Sequence, residues 1–333
     1  MENLENRKRD HIKLAFKAQT SLSEMDRRFH YEPMLNAHPK GGLQPVTILG
    51  KELQIPMWVS SMTGGTKLAG IINRNLAMCC NEFGMGMGLG SCRIILEDNT
   101  YFKDFDMRDI IGDHLPLWAN LGIAQIEELV AKKQVLKATE LVQKLRADGL
   151  IIHVNPIQEW LQPEGDYISS PPLETIKRLL DQISCPIIVK EVGQGIGPES
   201  LNELMKLPIQ AIEFAAFGGT NFAKVEMQRD GSVNQSVFEP LALIGEDVYS
   251  MLDYVNDLVA AENTVCQELI ISGGVKNFLD GYYLLKKSTL TAVYGMASTF
   301  LKYAQEDYAK LHDFVQTQVK GLELAQAYLS IRE

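Results

Sequence analysis

Residues 150–192 read LIIHVNPIQEWLQPEGDYISSPPLETIKRLLDQISCPIIVKEV. The stretch opens and closes on apolar, β-branched runs, Leu150–Asn155 and Ile187–Val192. Between them Pro171-Pro172 precedes LETIKRLLDQI, a pattern of helical period whose prolines suit a first turn. Strand, helix, strand is the repeating unit of a parallel sheet.

Outward from this unit the same alternation recurs. Further candidate strands are Met57–Ser61, Met85–Leu89, Leu117–Leu121, Ala211–Ala215, Glu268–Ser272 and Thr291–Gly295, which brings the count to eight. Met85–Leu89 is the poorest by propensity, because glycines alternate through it. Helical spacing appears at Leu68, Ile71, Ile72, Leu76, Cys79 and Phe83, and at Leu141, Val142 and Leu145; Gly197-Pro198 precedes a further helix, ESLNELMK. Eight strands with intervening helices predict one α/β domain over residues 1–333, a TIM (β/α)8 barrel. Residues 1–50 would be an N-terminal decoration and Ala304–Ile331 a C-terminal helical segment packed outside. No internal repeat, low-complexity tract or linker divides the chain.

The composition agrees. With 333 residues, 46% hydrophobic and 22% charged, the chain is neither disordered nor collagen-like. A net charge of −10 argues against a nucleic-acid surface, so any anionic ligand must meet local positive groups. The charged start, MENLENRKRDHIKLAF, has no apolar signal core, and no run approaches a membrane span, so a cytoplasmic protein is expected. Five cysteines without a C-x-x-C pair suggest neither a disulfide framework nor a thiolate zinc site.

A barrel collects its chemistry just after the strands. There the sequence places Ser60-Ser61-Met62-Thr63-Gly64-Gly65, Gly90-Ser91-Cys92-Arg93, Asn120, His153 to Glu159, Lys190-Glu191, Gly218-Gly219-Thr220, Ser272-Gly273-Gly274 and Gly295-Met296-Ala297. Ser272-Gly273-Gly274 and Gly295-Met296-Ala297, at strands seven and eight, suit phosphate binding by backbone N–H groups, although each alone is also an ordinary tight turn. Lys190 stands in an apolar run, either turned inward to stabilise an electron-rich ring, or paired structurally with Glu191 or snorkelling to solvent. His153, Asn155, Gln158 and Glu159 suit capture of an anion plus one oxygen ligand for Mg²⁺, or else form a core histidine and helix-capping amides. Arg7-Lys8-Arg9 with His11 reads either as a solvated helix face or, with Arg93, as the source of contacts to a diphosphate.

In order, these segments resemble the type 2 isopentenyl diphosphate isomerases, an FMN-dependent family. The resemblance runs from Asn6-Arg7-Lys8 to about Leu301. Its most specific pieces are Asn6-Arg7-Lys8 with His11, Met62-Thr63-Gly64-Gly65, the His153-x-Asn155-Pro156-x-Gln158-Glu159 string, and Phe217-Gly218-Gly219-Thr220 leading to Val225-Glu226. It implies interconversion of isopentenyl and dimethylallyl diphosphate by proton addition and elimination, with reduced FMN as acid/base cofactor, NADPH or NADH as flavin reductant, and Mg²⁺. By motif, Met62, Thr63, Gly64, Ser91, Asn120, Lys190, Thr220, Gly274, Val275, Lys276, Ala297 and Ser298 would contact FMN. Arg7, Lys8, His11, Ser91, Arg93, His153, Asn155 and Gln158 would hold substrate, and Glu159 would ligate the metal. Gln158, Lys190 and His153 would be the catalytic side chains, Gln158 positioning or relaying a proton and Lys190 stabilising negative charge on the reduced flavin. The family also implies a homo-oligomer, a tetramer or octamer, in which the N-terminal basic segment serves its own or a neighbouring subunit's site.

The chain departs from the family pattern at Cys92, Phe222, Lys276, Phe278 and the region Asn36–Leu43. The rival on the same barrel is an FMN-dependent 2-hydroxy-acid oxidase or dehydrogenase, which needs a histidine base near the seventh strand. The six histidines stand at 11, 30, 38, 114, 153 and 312. A non-catalytic flavin- or phosphate-binding protein is the second rival, and the intact Gln158-Glu159 speaks against it.

Overall fold

The computed structural model describes residues 2–61, 63–230 and 235–332. Its centre is a closed barrel of eight strands: β1 (Met57–Val59), β2 (Gly86–Gly88), β3 (Leu117–Gly122), β4 (Gly149–His153), β5 (Ile187–Lys190), β6 (Ala211–Glu213), β7 (Glu268–Ser272) and β8 (Thr291–Met296). Each strand pairs in parallel with the next, and β8 returns to β1. The parallel barrel expected from the sequence is therefore the fold. Its ladder sets His153 beside Lys190 and Lys190 beside Glu213. One correction concerns the end of β4: Asn155 lies past the strand and is the N-cap of the helix Pro156–Leu161. Proline at the next position forbids a ladder hydrogen bond and favours a first helical turn.

Glycine in β2 has a packing cause. A Cβ on Gly86 would stand 2.5 Å from the Trp58 ring, its register partner in β1, and one on Gly88 would meet Ile151 at 2.6 Å. Trp118 and Gly149 repeat the arrangement between β3 and β4, with 2.4 Å left for a Cβ. Both indoles are fully buried, so the strands exchange side-chain volume for close approach of large rings.

Outside the barrel, the helix Lys67–Phe83 begins at Thr66, whose hydroxyl accepts from the Ala69 N–H, and stops at Gly84 in left-handed conformation. It buries Ala69, Ile72, Asn73, Leu76, Ala77 and Cys80. Leu68 and Ile71, expected on the apolar face, are 55% and 51% exposed, being one position and thus about 100° off the buried stripe. The C-terminal segment is not helical throughout. Helices Ser298–Ala304 and Tyr308–Tyr328 are followed by a short strand, Leu329–Ile331, antiparallel to Phe29–Tyr31.

A hairpin, Val46–Ile48 with Lys51–Leu53, turns at Leu49 and Gly50, both at positive φ. It closes the N-terminal end of the barrel. Ile48 and Leu53 are buried, the Leu49 N–H donates to Glu268 at 3.0 Å, and Lys51 pairs with Asp148 at 2.5 Å. Residues on both sides of position 50 thus build this floor. All five cysteines are free thiols. Among the described residues no helix is long and apolar enough to cross a membrane.

Candidate active site

The opposite end of the barrel, where the strands finish, carries the expected polar loops. The loops after β1 and β2 interlock: a Cβ on Gly90 would stand 2.2 Å from the Thr63 carbonyl oxygen, and one on Gly64 would strike the Phe105 ring at 2.2 Å. Asn73 donates to the Asp104 carbonyl at 2.9 Å and ties the same loop to the helix behind it. Met62, expected on the cofactor, lies outside the described residues.

Polar side chains stand side by side on β3, β4 and β5, Asn120 bonded to His153 and Lys190 next to His153 in register. Asn120 is buried and donates its amide N–H to the Leu89 carbonyl at 3.0 Å. Its Oδ1 then accepts from His153 Nδ1 at 2.8 Å, which leaves Nε2 of His153 bearing the lone pair. Burial, reinforced by the charge of Lys190, lowers the His153 pKa to about 3, so the imidazole is neutral at pH 7. Lys190 is itself buried and donates to the backbone carbonyl of Glu191 at 2.7 Å. The Lys190–Glu191 side-chain pair weighed from the sequence does not form. Successive residues leave a strand on opposite faces, and the Glu191 carboxylate instead accepts the N–H groups of Gly193, Gln194 and Gly195 at 2.6–3.0 Å. Burial raises the Glu191 pKa in spite of these three bonds.

The loop after β4 forms the second cluster. Asn155 Nδ2 donates to Gln158 Oε1 at 3.1 Å and to Glu159 Oε1 at 3.0 Å, so the loop amide joins its neighbours rather than capping the helix. Gln158 Nε2 donates to Glu226 Oε1 at 3.2 Å, and the buried Glu226 is ion-paired with Arg229. Glu159 Oε2 accepts the Asp166 N–H at 2.8 Å, while the Asp166 carboxylate takes Arg93 at 2.5 Å and Gln125 at 2.8 Å. Asn155, Gln158 and Glu159 are therefore in mutual contact, and Arg93 joins them through Asp166. Glu226, Asp166 and Gln125 complete the network without having been assigned roles from the sequence. Only Glu226 carried a signal, its place in the run after Gly218-Gly219-Thr220.

The third feature is a cleft over the ends of β5 to β8. Lys190, Thr220, Gly274, Val275, Ala297 and Ser298 line it, together with Ser60, Ser61, Glu213 and Ser272. Its glycine turns pack backbone on backbone. A Cβ on Gly273, at φ +87°, would stand 2.1 Å from the Ala216 nitrogen, and one on Gly218 would lie 3.2 Å from Gly274 Cα. The remaining candidates stand apart. Ser91 is exposed at the rim. Lys276 is exposed and its N–H is held by the Asp280 carboxylate at 2.9 Å. Arg7, Lys8 and His11 lie exposed on the helix Glu2–Leu14, with no hydrogen bond or ion pair to this site among the described residues.

No protein-family model matches the chain. Curated relatives do. An isopentenyl-diphosphate delta-isomerase of Rickettsia felis is 32% identical over 329 residues, covering 97% of this chain and 92% of that protein. The isopentenyl-diphosphate delta-isomerase of Rickettsia africae is 32% identical over 331 residues, 97% and 93% of the two chains. This chain belongs to the isopentenyl-diphosphate delta-isomerase family. Solved structures sharing the fold include the flavin-binding domain of baker's yeast flavocytochrome b2, with a TM-score of 0.61, 13% identity and coverage of 90% and 72%. A mandelate oxidase variant with the monooxide FMN adduct gives a TM-score of 0.56, 13% identity and coverage of 92% and 88%. Two of the positions read from the sequence as departures have clear packing roles. Cys92 is fully buried, its thiol pushed up to about 12 by desolvation, and it packs as a small apolar group. The Phe278 ring fills the space beside Gly321, where a Cβ would stand 2.5 Å away.

Proposed function

We propose that the chain interconverts isopentenyl and dimethylallyl diphosphate, with FMN in the cleft over β5–β8 and the substrate under the β4 loop. The observation that carries this reading is the Asn155–Gln158–Glu159–Glu226 network, whose Gln158 lines a cavity that shares Val192 and Phe222 with that cleft. Moving a double bond needs a proton added at one carbon and removed at another, with no net redox change, in a site that stabilises cationic character.

The residues present fit FMN. A buried ammonium, Lys190, faces the cleft with one hydrogen bond made, and the turns Gly218–Thr220, Gly273–Val275 and Ala297–Ser298 offer backbone at close approach. When bound, reduced FMN supplies the transferable proton and an electron-rich ring. Thr63, Gly64, Ser91 and Asn120 would lie on the ring side, Thr220, Gly274, Val275, Lys276, Ala297 and Ser298 toward the ribityl phosphate, and Lys190 would stabilise negative charge on the ring.

Gln158, fixed between Asn155 and Glu226, positions or relays the proton at the substrate carbon. His153, whose Nε2 bears the lone pair, would help to hold the substrate, the approach of an anion favouring the protonated ring. Arg93 and Ser91, with Arg7, Lys8 and His11 from their own or a neighbouring subunit, would hold the diphosphate. Two of the lone-pair positions on the Glu159 carboxylate are engaged, which leaves the others for one Mg²⁺ shared with diphosphate oxygens and water. NADPH or NADH would serve only to reduce the flavin. We further propose a single barrel domain, a tetrameric or octameric assembly and action in the cytoplasm. Against a 2-hydroxy-acid oxidase, the loop after β7 reads Ser272-Gly273-Gly274 and holds no histidine base.

The test is anaerobic incubation of the protein with isopentenyl diphosphate, FMN, Mg²⁺ and NADPH, followed by NMR. Dimethylallyl diphosphate is the expected product. A protein that retains FMN yet forms none overturns the proposal.

A further inference from the structure

Three buried polar atoms in the cleft have no hydrogen-bond partner: Ser60 Oγ, Ser61 Oγ and Glu213 Oε2. Glu213 is wholly excluded from solvent, with only its Oε1 engaged, accepting from the Ser272 hydroxyl at 3.2 Å. An unpaired polar atom costs free energy wherever it is buried, and single cases scatter through most proteins. Three in one cleft, alongside the buried Lys190, form a set. Their positions agree: a Cβ on Gly295 would meet Ser60 Oγ at 2.6 Å and one on Gly88 would meet Ser61 Oγ at 2.6 Å, so both hydroxyls turn into the barrel mouth.

The chemistry of the set selects its ligand. A carboxylate oxygen accepts and does not donate, so Glu213 cannot be satisfied by a phosphate or a ring carbonyl. Hydroxyls that both donate and accept satisfy Glu213 and the two serines together. Position selects as well. Glu213 ends β6, between Lys190 on β5 and the turns Gly273–Val275 after β7 and Ala297–Ser298 after β8, where a chain linking a ring to a phosphate must cross. We infer that Glu213, with Ser60 and Ser61, is the seat of the ribityl chain of the flavin, Glu213 Oε2 accepting a hydrogen bond from a ribityl hydroxyl. The inference rests on the FMN reading above and assigns residues that the sequence motifs leave unassigned.

Binding of FMN, riboflavin and lumiflavin to the apoprotein, followed by quenching of flavin fluorescence, separates the possibilities. Lumiflavin keeps the ring and lacks the ribityl chain; riboflavin keeps the chain and lacks the phosphate. Glu213→Met removes both oxygens at similar volume. It is expected to raise the dissociation constants of FMN and riboflavin roughly tenfold or more while leaving that of lumiflavin within about twofold. Ser60→Ala/Ser61→Ala carries the same expectation with a smaller effect and serves if Glu213→Met does not fold. Unchanged FMN affinity in these variants, or equal loss for all three flavins, overturns the assignment. Failure of the wild-type protein to bind any of them overturns the FMN reading itself, and is told apart by the wild-type titration alone.

Discussion

Asn120 decides which nitrogen of His153 carries the proton, because its own N–H is committed to Leu89 and only its oxygen faces the ring. The imidazole, with its pKa near 3 in the fold, sits below the ordinary value of 6.5. Between those two values the unfolded chain binds a proton that the folded chain refuses. The stabilising share of His153 is therefore complete above pH 6.5 and lost as pH falls toward 3. Replacement by glutamine removes a titrating group, so urea denaturation at pH 7 and pH 4 should show a smaller acid loss for His153→Gln than for the wild type. The residues of this site were legible where they are contiguous. His153, Asn155, Gln158 and Glu159 lie within seven positions and announce themselves together. Glu226 reaches Gln158 across 68 positions, and Gln125 reaches Asp166 across 41. Such contacts exist only after the barrel has closed, so a local pattern marks Glu226 by its place after Gly218-Gly219-Thr220 but not its partner.

On the scale of the elements, β2 shows what propensity omits. Glycine is a poor strand former because it offers no side chain to pack, yet at Gly86 the missing side chain is what the Trp58 indole requires. Gly86→Ala must move that ring or the strand, and overpacking of this kind costs about 1–3 kcal/mol. Chemical denaturation is expected to show the loss with an unchanged slope, since the surface exposed on unfolding stays the same. The exposed Leu68 and Ile71 make the converse point. They repeat at helical spacing, and only the packing of the helix Lys67–Phe83 against the barrel fixes which apolar stripe is buried.

For the molecule as a whole, recurrence of strand and helix patterns was enough to expect one barrel, while the joining of the two termini left no trace in the sequence. Phe29–Tyr31 and Leu329–Ile331 are three residues each and lie at opposite ends of the chain. Their pairing is completed by Arg332, whose backbone N–H reaches the Arg28 carbonyl at 2.8 Å and whose Nε reaches that of Phe29 at 2.9 Å. Arg28 in turn pairs with Asp280 at 2.8 Å. Ending the chain at Tyr328 should loosen Phe29–Tyr31, with Arg28 still held by Asp280, and spare the barrel. Hydrogen exchange is expected to rise at residues 29–31 while β3 to β5 stay protected.

Closure has a further consequence. A sheet that ends in open strands presents rows of unpaired N–H and C=O groups, and those rows are templates for joining another molecule. Here the eight long-range strands form a ring that has no first or last member. Among the described residues the open margins belong to two small ladders, each three residue pairs long. The apolar strands that make the protein's core are thus the ones least able to recruit a stranger, and resistance to fibrillar association follows from the topology itself rather than from charge placed along a border.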